Sequence, residues 1–189
     1  MATGNANNVT TGAGSVNGYV FAAPIGTPLP TSTSESLNAA FKDLGFVSED
    51  GFEIGNTFNG GVEVKEWHGN TVYNHPGSKS ETAHFKLIEA LNIEVLKVIY
   101  GPNNVTVTNG EIHVASDADG AVPMSYVVDI EQRSGRLRRI VLPVATITSL
   151  GNIVFKNNEA VGYDATFGLS LGANGTTHDE YISAAPAST

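Results

Sequence analysis

The chain has 189 residues, a net charge of −9 and no cysteine, and 41% of its residues are apolar while only 15% are charged. This length suits one domain with its own core, and the absence of cysteine excludes disulfides, thiolate metal sites and a cysteine nucleophile. The acidic charge disfavours tight binding to nucleic acid, and the low charged fraction favours either a surface partly hidden by subunit contacts or a neutral polar surface.

The two ends are predicted to be extended arms around one β domain at residues 16–171. Residues 1–15 and 172–189 are rich in small and polar side chains and cannot bury enough apolar surface to fold alone. They are either disordered or ordered against a neighbouring subunit. The first arm lacks the basic and apolar regions of a secretory signal, and no apolar run approaches the roughly 18 residues of a membrane span. We therefore expect synthesis in the cytoplasm and no membrane association.

The first part of the chain is predicted to contain two strands and a short helix. Residues 16–23 favour a strand, and a proline-rich loop follows. Thr33 or Ser34 is positioned to cap a helix over residues 35–44. Residues 46–57 then favour a second strand.

Residues 56–80 form a long segment of turn signals between predicted strands. This segment contains the only tryptophan of the chain, Trp67, together with His68 and Tyr73. An aromatic side chain on a projecting hairpin or loop is a typical anchor for a partner. We predict that Trp67, His68 and Tyr73 contact a neighbouring subunit. The alternative is that Trp67 folds back onto its own core.

One helix is predicted between the strands. Apolar residues recur at helical spacing from Ile88 to Ile99. Glu89 lies near the start and Lys97 near the end, as the helix dipole favours, and Gly101 provides a stop. This helix would flank a two-layer β domain.

Turn signals in the second half predict an antiparallel meander. The turns are Asn109-Gly110, Ser134-Gly135 and Asn157-Asn158. Asn-Gly supplies the two positive-φ residues of a type I′ turn. We predict strands on either side of each turn, at residues 105–108, 111–115, 126–132, 137–147, 153–156 and 160–171.

The last predicted strand has the clearest period. Apolar and polar residues alternate from Val161 to Leu171, so one face lies on a core and the other in water or in a lumen. Pro143 lies inside another predicted strand. Because proline has no N–H to donate, that strand is at an edge there or carries a bulge.

A basic cluster surrounds the Ser134-Gly135 turn. We predict that three of its arginines, Arg136, Arg138 and Arg139, form ion pairs with an acidic neighbouring subunit. The alternatives are a phosphate or nucleic-acid site and a solvated hairpin tip. No aromatic stacking pattern accompanies these arginines.

The sequence contains no catalytic constellation that we recognise. There is no Gly-x-Ser-x-Gly elbow, no phosphate-binding glycine loop and no His-x-x-x-His zinc motif. His68 and His75 share one segment but lack a third ligand. We therefore predict that the protein is not an enzyme and has no cofactor.

Residues 63–69 and 81–101 resemble the major tail tube proteins of long-tailed, siphovirus-type bacteriophages. Trp67, Phe85 and the Leu-Ile-Glu sequence at 87–89 carry the resemblance, together with Val95-Leu96 and Tyr100-Gly101. The match extends over about residues 16–171.

The resemblance implies both a fold and a function. The fold is a β-sandwich or partial barrel flanked by one α-helix, with a long projecting loop at 56–80 and extended terminal arms. The function is that of a structural virion protein of the phage tail. Its copies form hexameric rings, which stack into a tube with an acidic lumen, and DNA passes through this lumen without specific binding. Its partners would be copies of itself and the tape measure, tail terminator and distal tail proteins.

Three acidic residues are candidates for the lumen. Asp129, Glu131 and Asp164 lie on polar faces of candidate inner strands, and a lumen lined by carboxylates would keep DNA from adhering. The alternative is that they lie outside the tube. Another function class also stays open: a decoration or host-ligand-binding β module that uses the loop around Trp67.

Overall fold

The computed structural model describes residues 4–16, 18–117 and 121–184, and within these ranges the chain is mainly β. The strands are β1 (Gly12–Gly14), β2 (Val20–Pro24), β3 (Lys42–Asp43), β4 (Val47–Phe58), β5 (Val62–Lys65), β6 (Thr71–His75), β7 (Lys79–Leu87), β8 (Val105–Thr108), β9 (Glu111–Val114), β10 (Met124–Gln132), β11 (Arg136–Leu150), β12 (Tyr163–Ser170) and β13 (Asp179–Ile182). The helix α1 spans Ile93–Tyr100, and two 3-10 turns span Ala6–Asn8 and Arg133–Gly135.

Most strands belong to one antiparallel sheet, whose order is β3-β2-β10-β11-β12-β7-β4. β1 pairs with β10 beyond the end of β2, and β13 pairs with β11 beyond the end of β12. The pairs β5-β6 and β8-β9 form two further small sheets. The predicted fold class, a mainly β sandwich flanked by one α-helix, is confirmed.

The main core lies against α1 and is built from alternate residues of the strands. Tyr163, Ala165 and Phe167 of β12 are buried, so the predicted period of two is confirmed within β12, whereas Leu171 lies beyond the strand and is exposed. The rings of Phe85 and Phe167 stack with their centroids 4.7 Å apart, and Tyr126 meets Phe167 edge-on at 5.0 Å. These contacts join β7, β12 and β10 across the sheet.

The helix is present but shorter than the apolar spacing predicts. Its N-cap is Asn92, whose side-chain oxygen accepts a hydrogen bond of 3.0 Å from the backbone N–H of Glu94. Ile88 and Leu91 therefore lie before the helix. Gly101 ends it at a φ of 94°, which side chains other than glycine rarely adopt.

The central meander matches its turn signals. Asn109 and Gly110 have φ values of 54° and 84°, as a type I′ turn between β8 and β9 requires. A three-residue 3-10 turn joins β10 to β11. The pairing of these two strands shifts register between Met124 and Tyr126, opposite Pro143, so the predicted bulge is present.

The second face of β10 and β11 is also covered. Val127 and Val141 pack there with Ala23 and Phe41 in a smaller buried cluster. Residues 25–41 cross this face as an irregular loop, which we call the covering loop. Two apolar clusters therefore lie on opposite sides of the same strands.

The helix predicted over residues 35–44 is wrong. The carboxylate of Glu35 accepts hydrogen bonds from the N–H and the hydroxyl of Thr31 at 2.7 and 2.9 Å. The Nη1 atom of Arg139 donates to the carbonyls of Ser32 and Glu35 at 3.0 and 2.6 Å. These contacts hold residues 31–35 in a non-helical conformation, and the segment stays irregular until β3.

Two further parts of the prediction differ from the structure. The strand expected at residues 153–156 is wrong, since the segment contains only an isolated bridge between Lys156 and Glu159. Parts of both predicted arms belong to the main sheet, as β1 and β13. The outer ends of the arms, 1–3 and 185–189, lie outside the described residues.

Candidate assembly surfaces

A long hairpin projects from the main sheet at the residues predicted as a loop. The pairing of β4 with β7 continues to Phe58 opposite Lys79, and β5 and β6 carry the hairpin onward. We call residues 59–78 the projecting hairpin. It exposes five large apolar side chains, Val62, Val64, Trp67, Val72 and Tyr73. A two-stranded hairpin is marginally stable alone in water, so this apolar surface is suited to contact with a partner.

The tip of the projecting hairpin is ordered by one carboxylate. Glu66 accepts hydrogen bonds from the backbone N–H groups of His68 and Asn70 at 2.9 and 3.2 Å. Its side chain also contacts the His68 ring and the Asn70 amide. These hydrogen bonds lower the pKa of Glu66. The largest contribution comes from the His68 backbone, followed by the His68 side chain and then by the backbone and side chain of Asn70. The tip thus holds a fixed turn around Trp67, which is fully exposed.

The flanks of the hairpin add a second aromatic. Tyr73 lies opposite Val64 in the register, and His75 lies opposite Val62. The Tyr73 and His75 rings meet edge-on with centroids 6.4 Å apart. By strand alternation these four residues share one face of the hairpin.

A polar sheet face lies on the side of β12, β7 and β4 that is turned away from the main core. By strand alternation it carries Glu53, Thr82, His84, Lys86, Asp164 and Thr166. His84 Nε2 and Asp164 Oδ1 are 2.6 Å apart. Lys86 Nζ lies 3.6 Å from a carboxylate oxygen of Glu159. This face is therefore polar and partly ion-paired.

The edge of the main sheet is open along β4. Within the described residues, β4 pairs only with β7, so its other side presents free backbone N–H and C=O groups. The register shifts between Val47 and Phe52, which marks a bulge. A long edge strand of this kind is a template for pairing with another chain.

The sequence matches the phage tail tube protein family over residues 2–188. The chain belongs to this family. No individual curated protein matches it. Membership makes the chain a structural component of the phage tail that assembles with other copies and with tail proteins. The resemblance of residues 63–69 and 81–101 to phage tail tube proteins is thereby confirmed, while the siphovirus type remains a prediction.

In this tail tube protein, the residues predicted to contact a neighbouring subunit are brought together. Trp67, His68 and Tyr73 all lie on the projecting hairpin, and all three are exposed. The alternative in which Trp67 folds back onto its own core does not occur. Their contact with another copy remains a prediction.

The candidate lumen residues fall into two environments. Asp164 lies on the polar sheet face. Asp129 and Glu131 lie on the face of β10 that the covering loop packs against. There the carboxylate of Asp129 forms an ion pair with Arg139. Thr82 and His84 also belong to the polar sheet face, although they were not predicted as lumen candidates. The alternation of β7, in which these two residues flank buried Ala83, would have identified them.

The three predicted arginines also differ from one another. Arg139 pairs with Asp129, and Arg138 pairs with Glu180 of β13, so both have carboxylate partners in their own chain. Arg136 has no ion-pair partner in the part of the chain that the structure describes. Ion pairing with a neighbouring subunit remains a prediction for all three.

Neither a metal centre nor a membrane span is visible in the described ranges. No group of three or more potential ligand side chains comes together in residues 4–16, 18–117 and 121–184. None of the helices found there is long and apolar enough to cross a bilayer.

Proposed function

We propose that copies of this chain form stacked hexameric rings that build the tail tube, with an acidic lumen through which DNA passes. The number of six copies per ring comes from the resemblance to major tail tube proteins. The observation that carries self-assembly is the projecting hairpin. Its fully exposed Trp67, on a tip fixed by Glu66, offers a large apolar anchor at low entropic cost.

The open edge of β4 supports lateral contact between copies. Twelve residues of strand with one unpaired side invite pairing with a strand from a neighbouring copy. Closing such edges around a ring would remove them all, as in a β-barrel. The hairpin would then be free to reach the next ring along the tube.

The polar sheet face supports a lumen suited to DNA. In this proposal Asp164 and Glu53 face the lumen, and the net charge of −9 keeps phosphate backbones from adhering. Asp129 and Glu131 would lie nearer the covering loop. There Arg139 neutralises Asp129, so this carboxylate adds less negative charge to the lumen than Asp164 and Glu53.

The remaining contacts of the proposal involve other proteins and the basic turn. Arg136 would pair with a carboxylate of an adjacent copy, with Arg138 and Arg139 near the same boundary. The tube would meet the tape measure protein inside and the tail terminator and distal tail proteins at its ends. The chain would be made in the host cytoplasm and act in the virion tail.

Electron microscopy of the purified protein tests this function. At high concentration, alone or with the other tail proteins, we expect hollow tubes built from rings of six copies. A protein that stays monomeric under all these conditions contradicts the proposal. A monomer that binds a glycan or host protein through the hairpin would favour the decoration or host-binding alternative.

A further inference from the structure

One edge of β11 is covered by two different strands. β12 pairs with residues 144–150, and β13 pairs with residues 138–141 on the same side, opposite β10. Between them, residues 171–178 leave the sheet and return. β12 and β13 therefore lie end to end along the same edge of β11, and β13 covers the first half of that edge.

A buried carboxylate holds the segment that leads into β13. The side chain of Glu81 on β7 is only 3% exposed. Its Oε2 atom accepts a hydrogen bond from the Thr177 hydroxyl and lies 3.2 Å from Nδ1 of His178. Lys79 Nζ lies 2.5 Å from Oε1 of the same carboxylate. Glu81 therefore ties residues 177–178 to β7.

Polar contacts also hold β13 itself. Arg138 donates to a carboxylate oxygen of Glu180 across the strand pair. The Ser183 N–H donates to the carbonyl of Leu137 at 2.8 Å, and the Ser183 hydroxyl accepts from the Leu137 N–H at 2.9 Å. These contacts are made by the segment's own residues and would be lost together if β13 left the sheet.

Apolar burial adds little to this attachment. Within the described part of the chain, Tyr181 is the β13 residue that packs on the smaller cluster, while Ile182 is 54% exposed. A net hydrogen bond is worth about 1 kcal/mol, which is comparable to the entropy lost in ordering one residue. β13 is therefore among the parts of the fold that open at low free energy.

We propose that β13 is an autoinhibitory strand: it masks the edge of β11 in the isolated chain, and its release opens that edge to a strand of a second copy. An uncovered edge at residues 138–141 would present unpaired backbone groups in the middle of the sheet. The proposal rests on the self-assembly described above. It adds that β13 inhibits the assembly of the isolated chain until the strand is released.

The test compares three variants of the full chain with a matched control. Glu81→Gln and Glu180→Gln weaken the two tethers, and a chain ending after residue 178 removes β13. Glu159→Gln is the control, because Glu159 also forms ion pairs, with Lys86 and Lys156, but lies outside this segment. Hydrogen exchange of the isolated protein and light scattering during assembly are measured for each.

We expect the amides of residues 179–183 to exchange about tenfold faster in Glu81→Gln and Glu180→Gln, while those of β12 stay protected. Both variants, and the shortened chain if it folds, should assemble at lower concentration than the wild type and Glu159→Gln. Unchanged exchange, or faster exchange without easier assembly, overturns the autoinhibitory role. Wild-type assembly with no variant effect overturns only this inference, whereas no assembly by any chain overturns the proposed function as well.

Discussion

Arg139 and Asp129 face each other across β10 and β11, and the guanidinium grips the carboxylate with two hydrogen bonds of 2.7 and 2.8 Å. The same guanidinium holds two carbonyls of the covering loop. One nearly buried side chain thus links the sheet to a loop more than a hundred residues away in sequence.

Replacing Arg139 with methionine should therefore destabilise the protein and loosen the covering loop. Removing one partner of a buried pair leaves the other charge uncompensated and costs about 3 kcal/mol. Urea unfolding measures the loss, and hydrogen exchange locates it in residues 25–41. Arg136→Met is the control and should change stability by less than about 0.5 kcal/mol. Equal effects from the two substitutions would contradict the assigned role.

Turn chemistry gives a second stability prediction. Asn109 adopts a φ of 54°, a conformation that costs most L-residues about 1 kcal/mol. Asn109→Ala should lower the free energy of unfolding by about that amount, and Asn109→Gly should lower it less. Thermal unfolding of the two variants measures the difference. An alanine variant as stable as the glycine variant would argue against a strained turn.

The hairpin turns were predictable because their signal is local. Asn109-Gly110 predicts its own turn type, and Pro143, which lacks an N–H, predicts either an edge strand or a bulge, of which the structure has the bulge. The strict alternation in β12 likewise identifies a strand with one buried face. In each case neighbouring residues alone determine the geometry.

The errors arose where distant residues decide the local structure. Thr33 and Ser34 offered a helix start, but Arg139, more than a hundred residues away in sequence, binds the carbonyls of Ser32 and Glu35 and holds this segment in an irregular conformation. β13 was missed because its pairing depends on Arg138, far away in sequence. The exposure of Trp67 was predicted from its turn-rich surroundings, whereas the order at its tip depends on the Glu66 network.

Glu81 predicts a specific dependence on pH. Burial raises its pKa, but hydrogen bonds from Lys79, Thr177 and His178 outweigh burial and lower the pKa from 4.5 to about 2. Since the folded-state pKa lies below the unfolded value, the stabilisation is fully present above about pH 4.5 and is lost as the pH falls towards 2. Hydrogen exchange of residues 177–183 should therefore accelerate across this window.

The control for this prediction is Glu81→Gln, which has no carboxylate to titrate at that position. The difference in stability between the wild type and this variant should shrink as the pH falls from 4.5 to 2. A difference that stays constant over the same range would show that Glu81 does not supply the pH dependence.

Trp67 should be needed for assembly and not for folding. Because its side chain makes no core contact, Trp67→Ala should change the stability of the monomer by less than about 0.5 kcal/mol. If it anchors the contact between copies, the concentration needed for assembly should rise at least about tenfold. Sedimentation of a dilution series measures this. Phe155→Ala, which removes another exposed aromatic outside the hairpin, is the matched control.

The most direct test of the tube uses the absence of native cysteine. Single cysteines are introduced at Asp164, on the polar sheet face, and at Glu94, on α1, whose side chains are 48% and 34% exposed in the single chain. Both should react with a bulky polymer-linked maleimide in the monomer. In the assembled protein, Asp164→Cys should be protected from the bulky reagent yet react with a small maleimide, while Glu94→Cys reacts with both. Equal labelling of the two positions by the bulky reagent after assembly would contradict a tube with this face in its lumen.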